Sequence, residues 1–205
     1  MTLRVGIYLY PDVEVLDFAG PYEVFSTASR VAGRLDASAA ELFAVLLLAE
    51  THEVVRARGG LRVLPDASIH DAGRLDVLLV PGGVHGPELG RPEVIAWLAR
   101  AATSSRLAAS VCTGAFLLAR AGLLSGLEVT THWEDCADLQ RAFPDLRVRD
   151  GVRWIENDHI LTSAGISAGI DMSLRMVARL ASEELAERTA RQMDYAWRAR
   201  SGSEP

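Results

Sequence analysis

Short apolar runs alternate along the chain with longer stretches whose apolar residues recur at helical spacing. The runs predict buried strands at Val5–Tyr10, Phe43–Leu48, Val77–Val80 and the segment that ends at Val111. The amphipathic stretches predict helices at Tyr22–Val31, Glu93–Ala102, Glu134–Phe143, Gly169–Leu180 and Glu183–Trp197. Because strands buried on both faces occur in parallel sheets covered by helices, this alternation predicts an α/β fold with a mostly parallel central sheet sandwiched by helices.

Turn-forming residues mark two hairpins and the start of the first helix. Gly59-Gly60 predicts a hairpin within Val54–Leu64, and Asn157-Asp158 predicts a second hairpin further along the chain. Pro21 is expected in the first turn of the first helix, which leaves Asp17 in the preceding loop. A short strand at Glu128–Thr131 is expected to end next to His132.

Length and charge narrow the class of protein. With 205 residues, 49% of them hydrophobic, the chain supports one core, and we expect one domain over residues 1–200 and a flexible tail over 201–205. The net charge of −6 and the absence of a basic run argue against nucleic acid as a partner. Two cysteines make no disulfide framework, and neither a leader pattern nor a membrane-spanning run is visible, so a reducing cytoplasm is expected.

Cys112 stands where a short apolar run gives way to helical spacing, which ends at Gly122. A thiol at such a junction faces a helix N-terminus, which favours the thiolate and predicts a pKa below the free value of about 8.5. Small neighbours, Ser110 and Gly114, permit the sharp turn of a nucleophile elbow with cysteine in place of serine. The alternative is a buried, inert cysteine.

Other candidate residues follow the ends of predicted strands. Gly82-Gly83 is either an ordinary turn or a close backbone approach that forms an oxyanion hole with the N–H of Thr113. Asp17 has apolar neighbours, which would raise its pKa and make it a proton donor; the alternative is that it caps a helix. Glu23 is the competing candidate for the acid near the thiol.

The histidines give weaker signals. His132 is either a base for Cys112 or a structural histidine, and His85 could line the pocket because it follows the glycine pair. No histidine or cysteine spacing fits a zinc site, so no metal is expected.

Taken together, five segments resemble the ThiJ/PfpI superfamily, which has the class I glutamine amidotransferase-like, flavodoxin-like fold. The resemblance covers Leu3 to Trp197 and rests on the segments L-D-F-A-G-P, V-P-G-G, S-V-C-T-G, T-T-H-W and S-A-G-I-S-A-G-I-D. Within the superfamily the segments are most similar to the isocyanide hydratase branch, and they also resemble the N-terminal sensor domains of AraC-type regulators.

The resemblance implies roles for individual residues. Cys112 matches the nucleophile and Asp17 the acid that contacts it. Gly83 matches an oxyanion donor, and Gly165 and Ile166 border the pocket. A further residue, Thr113, stands where peptidase-like members carry histidine, which argues against a peptidase.

The resulting hypothesis is a lyase that hydrates a small isocyanide to an N-substituted formamide. Cys112 would attack the terminal carbon, Asp17 would pass a proton and then activate water, and no metal or organic cofactor is required. The alternatives are a glyoxalase- or amidase-like enzyme acting on a small electrophile, and a non-enzymatic ligand or oxidant sensor.

The resemblance also implies a homodimer. The apolar loop Val13–Leu16 and the helix Tyr22–Val31 offer a patch for a second copy.

Overall fold

The computed structural model of the protein describes residues 1–36 and 41–199, and the predicted tail at 201–205 lies outside them. The strands are β1 Leu3–Tyr8, β2 Phe43–Ala49, β3 Val55–Arg56, β4 Arg62–Val63, β5 Ala67–Ser68, β6 Val77–Val80, β7 Leu107–Val111, β8 Glu128–Val129, β9 Arg147–Val148, β10 Trp154–Asn157 and β11 Ile160–Ser163. The α-helices are α1 Val15–Leu35, α2 Gly86–Leu89, α3 Pro92–Ser104, α4 Gly114–Arg120, α5 Cys136–Ala142, α6 Ala168–Leu180 and α7 Glu183–Gln192.

Seven strands form the central sheet in the order β10-β11-β7-β6-β1-β2-β5. All neighbours pair in parallel except β10 and β11, which form the predicted hairpin. Because β2 and β6 both pair with β1, from opposite sides, the chain reverses its direction of winding between β1 and β6. The carboxyl edge at such a switch point is where ligands bind in open α/β sheets.

Helices cover the sheet in two groups, which confirms the predicted α/β architecture. α1, α6 and α7 pack against one another, and α2, α3 and α4 form the second group. The central strands are buried throughout, as in Val77–Val80, and for this reason they read as uninterrupted apolar runs. The hairpin predicted around Gly59-Gly60 is also present, with β3 antiparallel to β4.

The first helix differs from the prediction. α1 begins at Val15, so Asp17 lies in its first turn rather than in a loop, and Pro21 lies inside the helix. Proline lacks the N–H that would bond to the carbonyl four residues earlier, which here belongs to Asp17. Burial of the α1 face that carries Phe18 and Val24 outweighs this local cost.

Two further elements end earlier than the pattern indicated. The strand expected at Glu128–Thr131 stops at Val129 and pairs with β9 in a separate small sheet, so His132 does not end a strand of the central sheet. The last helix stops at Gln192, just before Asp194 adopts a left-handed φ of 52°. Across residues 1–36 and 41–199, none of the helices has both the length and the apolar character needed to cross a membrane.

Candidate functional site

A pocket of about 390 Å³ opens at the carboxyl edge of the sheet, beside β6 and β7. Six of the residues that line it are ones the sequence singled out: Gly83, His85, Cys112, Thr113, His132 and Ile166. Residues that sequence reasoning did not place at the site complete the wall: Glu14, Arg58, Val84, Gly86, Glu134 and Asp135.

Cys112 sits in a strained backbone conformation between β7 and α4. Its φ of 56° is left-handed, which is rare for a residue with a side chain and is a form of strain that clusters at functional sites. Three hydrogen bonds hold the peptide: its N–H donates to Ser163 O at 3.1 Å, while its carbonyl accepts from Thr131 Oγ1 at 2.8 Å and from the Ala115 N–H at 3.3 Å. The surrounding structure thus fixes the thiol at the edge of the pocket.

Asp17 lies fully buried beside this thiol. Its Oδ2 accepts a hydrogen bond from the Gly82 N–H at 3.0 Å, whereas its Oδ1 has no hydrogen-bond partner among the described residues. Burial raises the pKa of Asp17 to about 7, and the nearby Glu14 carboxylate adds to the rise in this pKa. Near neutral pH the Asp17 carboxyl can therefore both take up and release a proton.

The thiol does not have the lowered pKa that its position suggested. Burial, followed by the charge of the Asp17 carboxylate, raises the pKa of Cys112 to about 12, although the Thr113 N–H opposes this rise. The expectation was wrong because burial of the thiol and the charge of the adjacent Asp17 carboxylate outweigh the N-terminus of α4, which is only seven residues long. At neutral pH Cys112 is therefore a thiol, and it would need a base to deprotonate it in order to act as a nucleophile.

Gly82 and Gly83 make the close approach that lets Asp17 reach this edge. A Cβ at Gly82 would lie 2.7 Å from the Thr113 N and 2.9 Å from Asp17 Oδ2. Gly83 has a left-handed φ of 142°, and a Cβ there would lie 2.4 Å from Asp12 O. No residue with a side chain fits either position without a backbone shift.

The two glycine amides are already bonded within the protein. The Gly82 N–H donates to Asp17, and the Gly83 N–H donates to Thr113 Oγ1 at 3.0 Å, while the same hydroxyl donates to Gly83 O at 3.1 Å. An oxyanion role for Gly83 therefore stays a prediction and requires the Thr113 hydroxyl to release that amide.

Both histidines at the pocket have defined environments. The His132 Nδ1 accepts from the Glu134 N–H at 3.4 Å and lies 3.4 Å from Asp135 Oδ2. A Cβ at Gly165 would lie 2.3 Å from His132 Cδ2, so the glycine makes room for the ring. The His85 ring stacks on Phe116 with centroids 4.4 Å apart, and burial lowers the pKa of His85.

The remaining predicted residues divide between the pocket and the surface. Ile166 lines the pocket with a left-handed φ of 50°, an outlier for a β-branched residue. Glu23, the competing acid, is absent from the pocket: its carboxylate binds Arg30 at 2.7 Å and is 52% exposed. Asp17 and Glu23 are six residues apart on α1 and so point in different directions from the helix axis.

Glu14 and Arg58 reach the pocket only through tertiary contacts. The loop after β1 runs beside the loop after β6, with a bridge between Val13 and Gly83, and the Glu14 N–H donates to Gly82 O at 2.8 Å. Arg58 arrives from the β3–β4 hairpin and pairs with Glu14 at 3.4 Å. Nothing in their local sequence indicated either position.

Within the described part of the chain, no group of three or more histidine, cysteine or acidic side chains is arranged to hold a metal ion. A larger groove of about 770 Å³ lies between α1 and α7, but its lining of arginines and glutamates contains no nucleophile. The chemistry available to the protein is therefore concentrated around Cys112 and Asp17.

Comparison with known proteins identifies the family of this chain. The pattern of the DJ-1/PfpI family matches residues 3–179. The chain belongs to the DJ-1/PfpI family. A solved relative, a ThiJ/PfpI family protein from Pseudomonas syringae, superimposes with a TM-score of 0.82 at 27% identity, over 95% of this chain and 76% of that one.

Two curated relatives of this DJ-1/PfpI protein represent two kinds of function. Isonitrile hydratase from Pseudomonas putida is 32% identical over 197 residues, which cover 96% of this chain and 80% of the hydratase. The transcriptional regulator GbdR from Pseudomonas aeruginosa is 32% identical over 181 residues, which cover 88% of this chain and 47% of the regulator. The chain thus spans most of the hydratase and about half of the regulator.

Proposed function

We propose that the protein is an isocyanide hydratase-like lyase that converts a small isocyanide to an N-substituted formamide. The observation that carries the proposal is the buried pair of Cys112 and Asp17, in which an acid with a pKa of about 7 accompanies a thiol with a pKa of about 12. The 32% identity to an isonitrile hydratase over nearly the whole chain supports the choice of substrate class.

The first step adds the thiol to the terminal isocyanide carbon. The Asp17 carboxylate accepts the Cys112 proton as the sulfur attacks, and delivers it to the same carbon, which yields an enzyme-bound thioimidate. No leaving group is needed, because the carbon gains one bond to sulfur and one to hydrogen. A base with a pKa of about 7 suits this transfer, since it is ionised near neutral pH but still holds a proton readily.

The second step releases the product. Asp17 removes a proton from water as the oxygen adds to the thioimidate carbon, and passes that proton to the nitrogen. The carbon–sulfur bond then breaks, the hydroxyl proton returns to sulfur by way of Asp17, and the formamide leaves. The net change is the addition of one water to the isocyanide, with the thiol and the carboxylate restored.

A direct assay tests this function. The protein is mixed with p-nitrophenyl isocyanide, and formation of the N-substituted formamide is followed by chromatography. Formamide that forms with wild type but not with Cys112→Ala supports the proposal. If wild type forms none while it turns over a small aldehyde or amide, the site is instead that of a glyoxalase- or amidase-like enzyme.

The regulator relatives favour a second candidate, a small-molecule sensor without turnover. They share this domain at 32% identity, and the same pocket could bind a ligand without a reaction. Oxidant sensing is the weaker form of this idea, because burial raises the pKa of Cys112 and it is the thiolate, rather than the thiol, that attacks a peroxide. Ligand-dependent thermal stabilisation of Cys112→Ala, with no turnover by wild type, would favour the sensor.

Homodimer formation stays a proposal, and the surface available for it is smaller than the sequence indicated. Val13 is buried, and the Val24 and Phe25 face of α1 packs inside the chain, which leaves Leu16 and Tyr22 at 39% and 38% exposure. Light scattering at micromolar concentration should give twice the chain mass of 22.2 kDa. A species of the single-chain mass would contradict the dimer.

A further inference from the structure

The charged residues around the mouth of the Cys112 pocket are unbalanced. Three carboxylates line it, from Glu14, Glu134 and Asp135, against one guanidinium, from Arg58. Arg58 pairs with Glu14 at 3.4 Å, so this cation is matched by one of the three acids. The two remaining carboxylates stand on the opposite wall, where the only basic group within ion-pair distance among the described residues is His132.

These carboxylates act on the interior of the site as well as on its rim. The Asp135 charge contributes to the raised pKa of Cys112 and opposes the fall in the pKa of His85. Glu14 raises the pKa of Asp17 in the same way. The negative field therefore reaches the position where the sulfur meets a substrate.

A structural role does not account for the two acids on the His132 wall. Asp135 precedes α5, but its side chain makes no capping hydrogen bond. The Glu134 side chain is 64% exposed, and among the described residues its only ion-pair contact is with His132, two residues earlier, at 3.8 Å. Side chains that neither cap a helix nor hold two elements together are free to act on what enters the pocket.

We propose that Glu134 and Asp135 select substrates by charge, so that the pocket favours small electrophiles with a positively charged substituent and disfavours those with a carboxylate or sulfonate. A cleft with walls of one sign concentrates ligands of the opposite sign and repels those of the same sign. The inference deepens the proposed function, because it assigns the substituent carried by the substrate of the same thiol.

The test uses reagents that modify Cys112 without any hydration chemistry. Three methanethiosulfonates of similar size carry a trimethylammonium group, a sulfonate group or no charge; each forms a mixed disulfide with the thiol and releases methanesulfinate. Modification of Cys112 is followed by peptide mass spectrometry, which distinguishes it from Cys136. The measurement is made at a fixed pH of 8 for all three reagents.

The measured quantity is the ratio of the cation rate to the anion rate, divided by the same ratio for a small free thiol. We expect this ratio to be about ten at low ionic strength and to fall as salt is added. Added salt weakens the attraction because it shortens the Debye length from about 30 Å at 0.01 M to about 3 Å at 1 M. The double variant Glu134→Gln/Asp135→Asn should lower it severalfold, toward the smaller value that the Asp17 carboxylate beside the thiol maintains. Glu187→Gln on α7, outside the pocket, is the matched control and should leave it unchanged.

Several results would overturn the inference. If the wild-type ratio is one or below, the two acids do not select for cations, and either Arg58 or no charged group governs entry. If a high ratio persists in the double variant, other residues select the charge of the reagent. Failure of all three reagents to modify Cys112 would mean that small electrophiles do not reach the thiol. None of these measurements needs isocyanide turnover. A failed hydration assay therefore does not contradict the charge selection, and a rate ratio of one does not contradict hydratase activity.

Discussion

Two buried polar groups lie near the carboxyl end of β1, and they are satisfied to different degrees. The Tyr8 hydroxyl donates to Glu88 at 2.6 Å, and Arg91 lies 3.6 Å from the same carboxylate and also pairs with Glu50. Asp17, by contrast, has one carboxylate oxygen without a hydrogen-bond partner among residues 1–36 and 41–199, and it lies next to a cysteine with a left-handed φ.

The contrast separates a group that holds the fold together from one that is suited to the chemistry proposed for it. A satisfied network stabilises the folded state, whereas an unpaired buried acid costs free energy that folding must supply from elsewhere. A proton carrier needs that incomplete bonding, because a carboxylate with all its hydrogen bonds made would hold its charge too firmly. Three substitutions, one of them assessed both by turnover and by stability, test this division.

The largest effect should come from Cys112→Ala. Removal of the sulfur removes the nucleophile, so formamide production should drop to the rate without enzyme, while circular dichroism stays that of wild type. Cys136→Ala is the matched control, since Cys136 is a half-buried cysteine outside the pocket. Turnover by Cys112→Ala would show that the thiol is not the nucleophile.

Asp17→Asn should rank second in its effect on turnover. The amide keeps an oxygen to accept from the Gly82 N–H but cannot carry a proton, so we expect kcat to fall about 10²–10⁴-fold, the usual contribution of general acid–base catalysis. In wild type, kcat/KM should rise with pH through about 7 as Asp17 ionises. Glu23→Gln on the exposed side of α1 should keep both the rate and this pH profile.

The same substitution should stabilise the protein in alkaline solution. Burial raises the folded-state pKa of Asp17 from 3.8 to about 7, so the folded state binds this proton more tightly than the unfolded state does. The stabilisation that the protonated Asp17 side chain contributes is therefore complete below about pH 4. It is lost as the pH rises through about 7, which lowers the free energy of unfolding by up to about 4 kcal/mol from this group alone. Urea titrations should give wild type a lower free energy of unfolding at pH 8 than at pH 5. This difference between the two pH values should be smaller in Asp17→Asn.

Tyr8→Phe should have the smallest effect, and it should lower the stability of the protein while leaving its activity unchanged. Loss of the hydroxyl leaves the buried Glu88 carboxylate without its closest donor, which should cost about 1–3 kcal/mol of the free energy of unfolding. For a chain of this length, each kcal/mol corresponds to about 2–4 °C in Tm. Hydration should continue at the wild-type rate; a loss of turnover without a loss of stability would place this network in the site.

Much of the frame could be read from the sequence because the relevant physics is local. Val77–Val80 is apolar without interruption because both faces of β6 are buried, and the strand occupies the residues predicted for it. Gly59-Gly60 and Asn157-Asp158 mark the two hairpins, since turns demand particular residues. The change of pattern at Cys112 located the junction between β7 and α4.

What the sequence could not determine depends on groups far apart in the chain. The position of Pro21 inside α1 required knowledge of the apolar face that this helix buries, and the contact between Glu14 and Arg58 required the hairpin to fold over the loop after β1. The pKa of the thiol was the clearest case. The helix N-terminus beside Cys112 is a local feature and predicted a low value, but burial and the charge of Asp17, which lies 95 residues earlier in the chain, decide it. Desolvation and charge act through space, and only the tertiary structure fixes the distances over which they act.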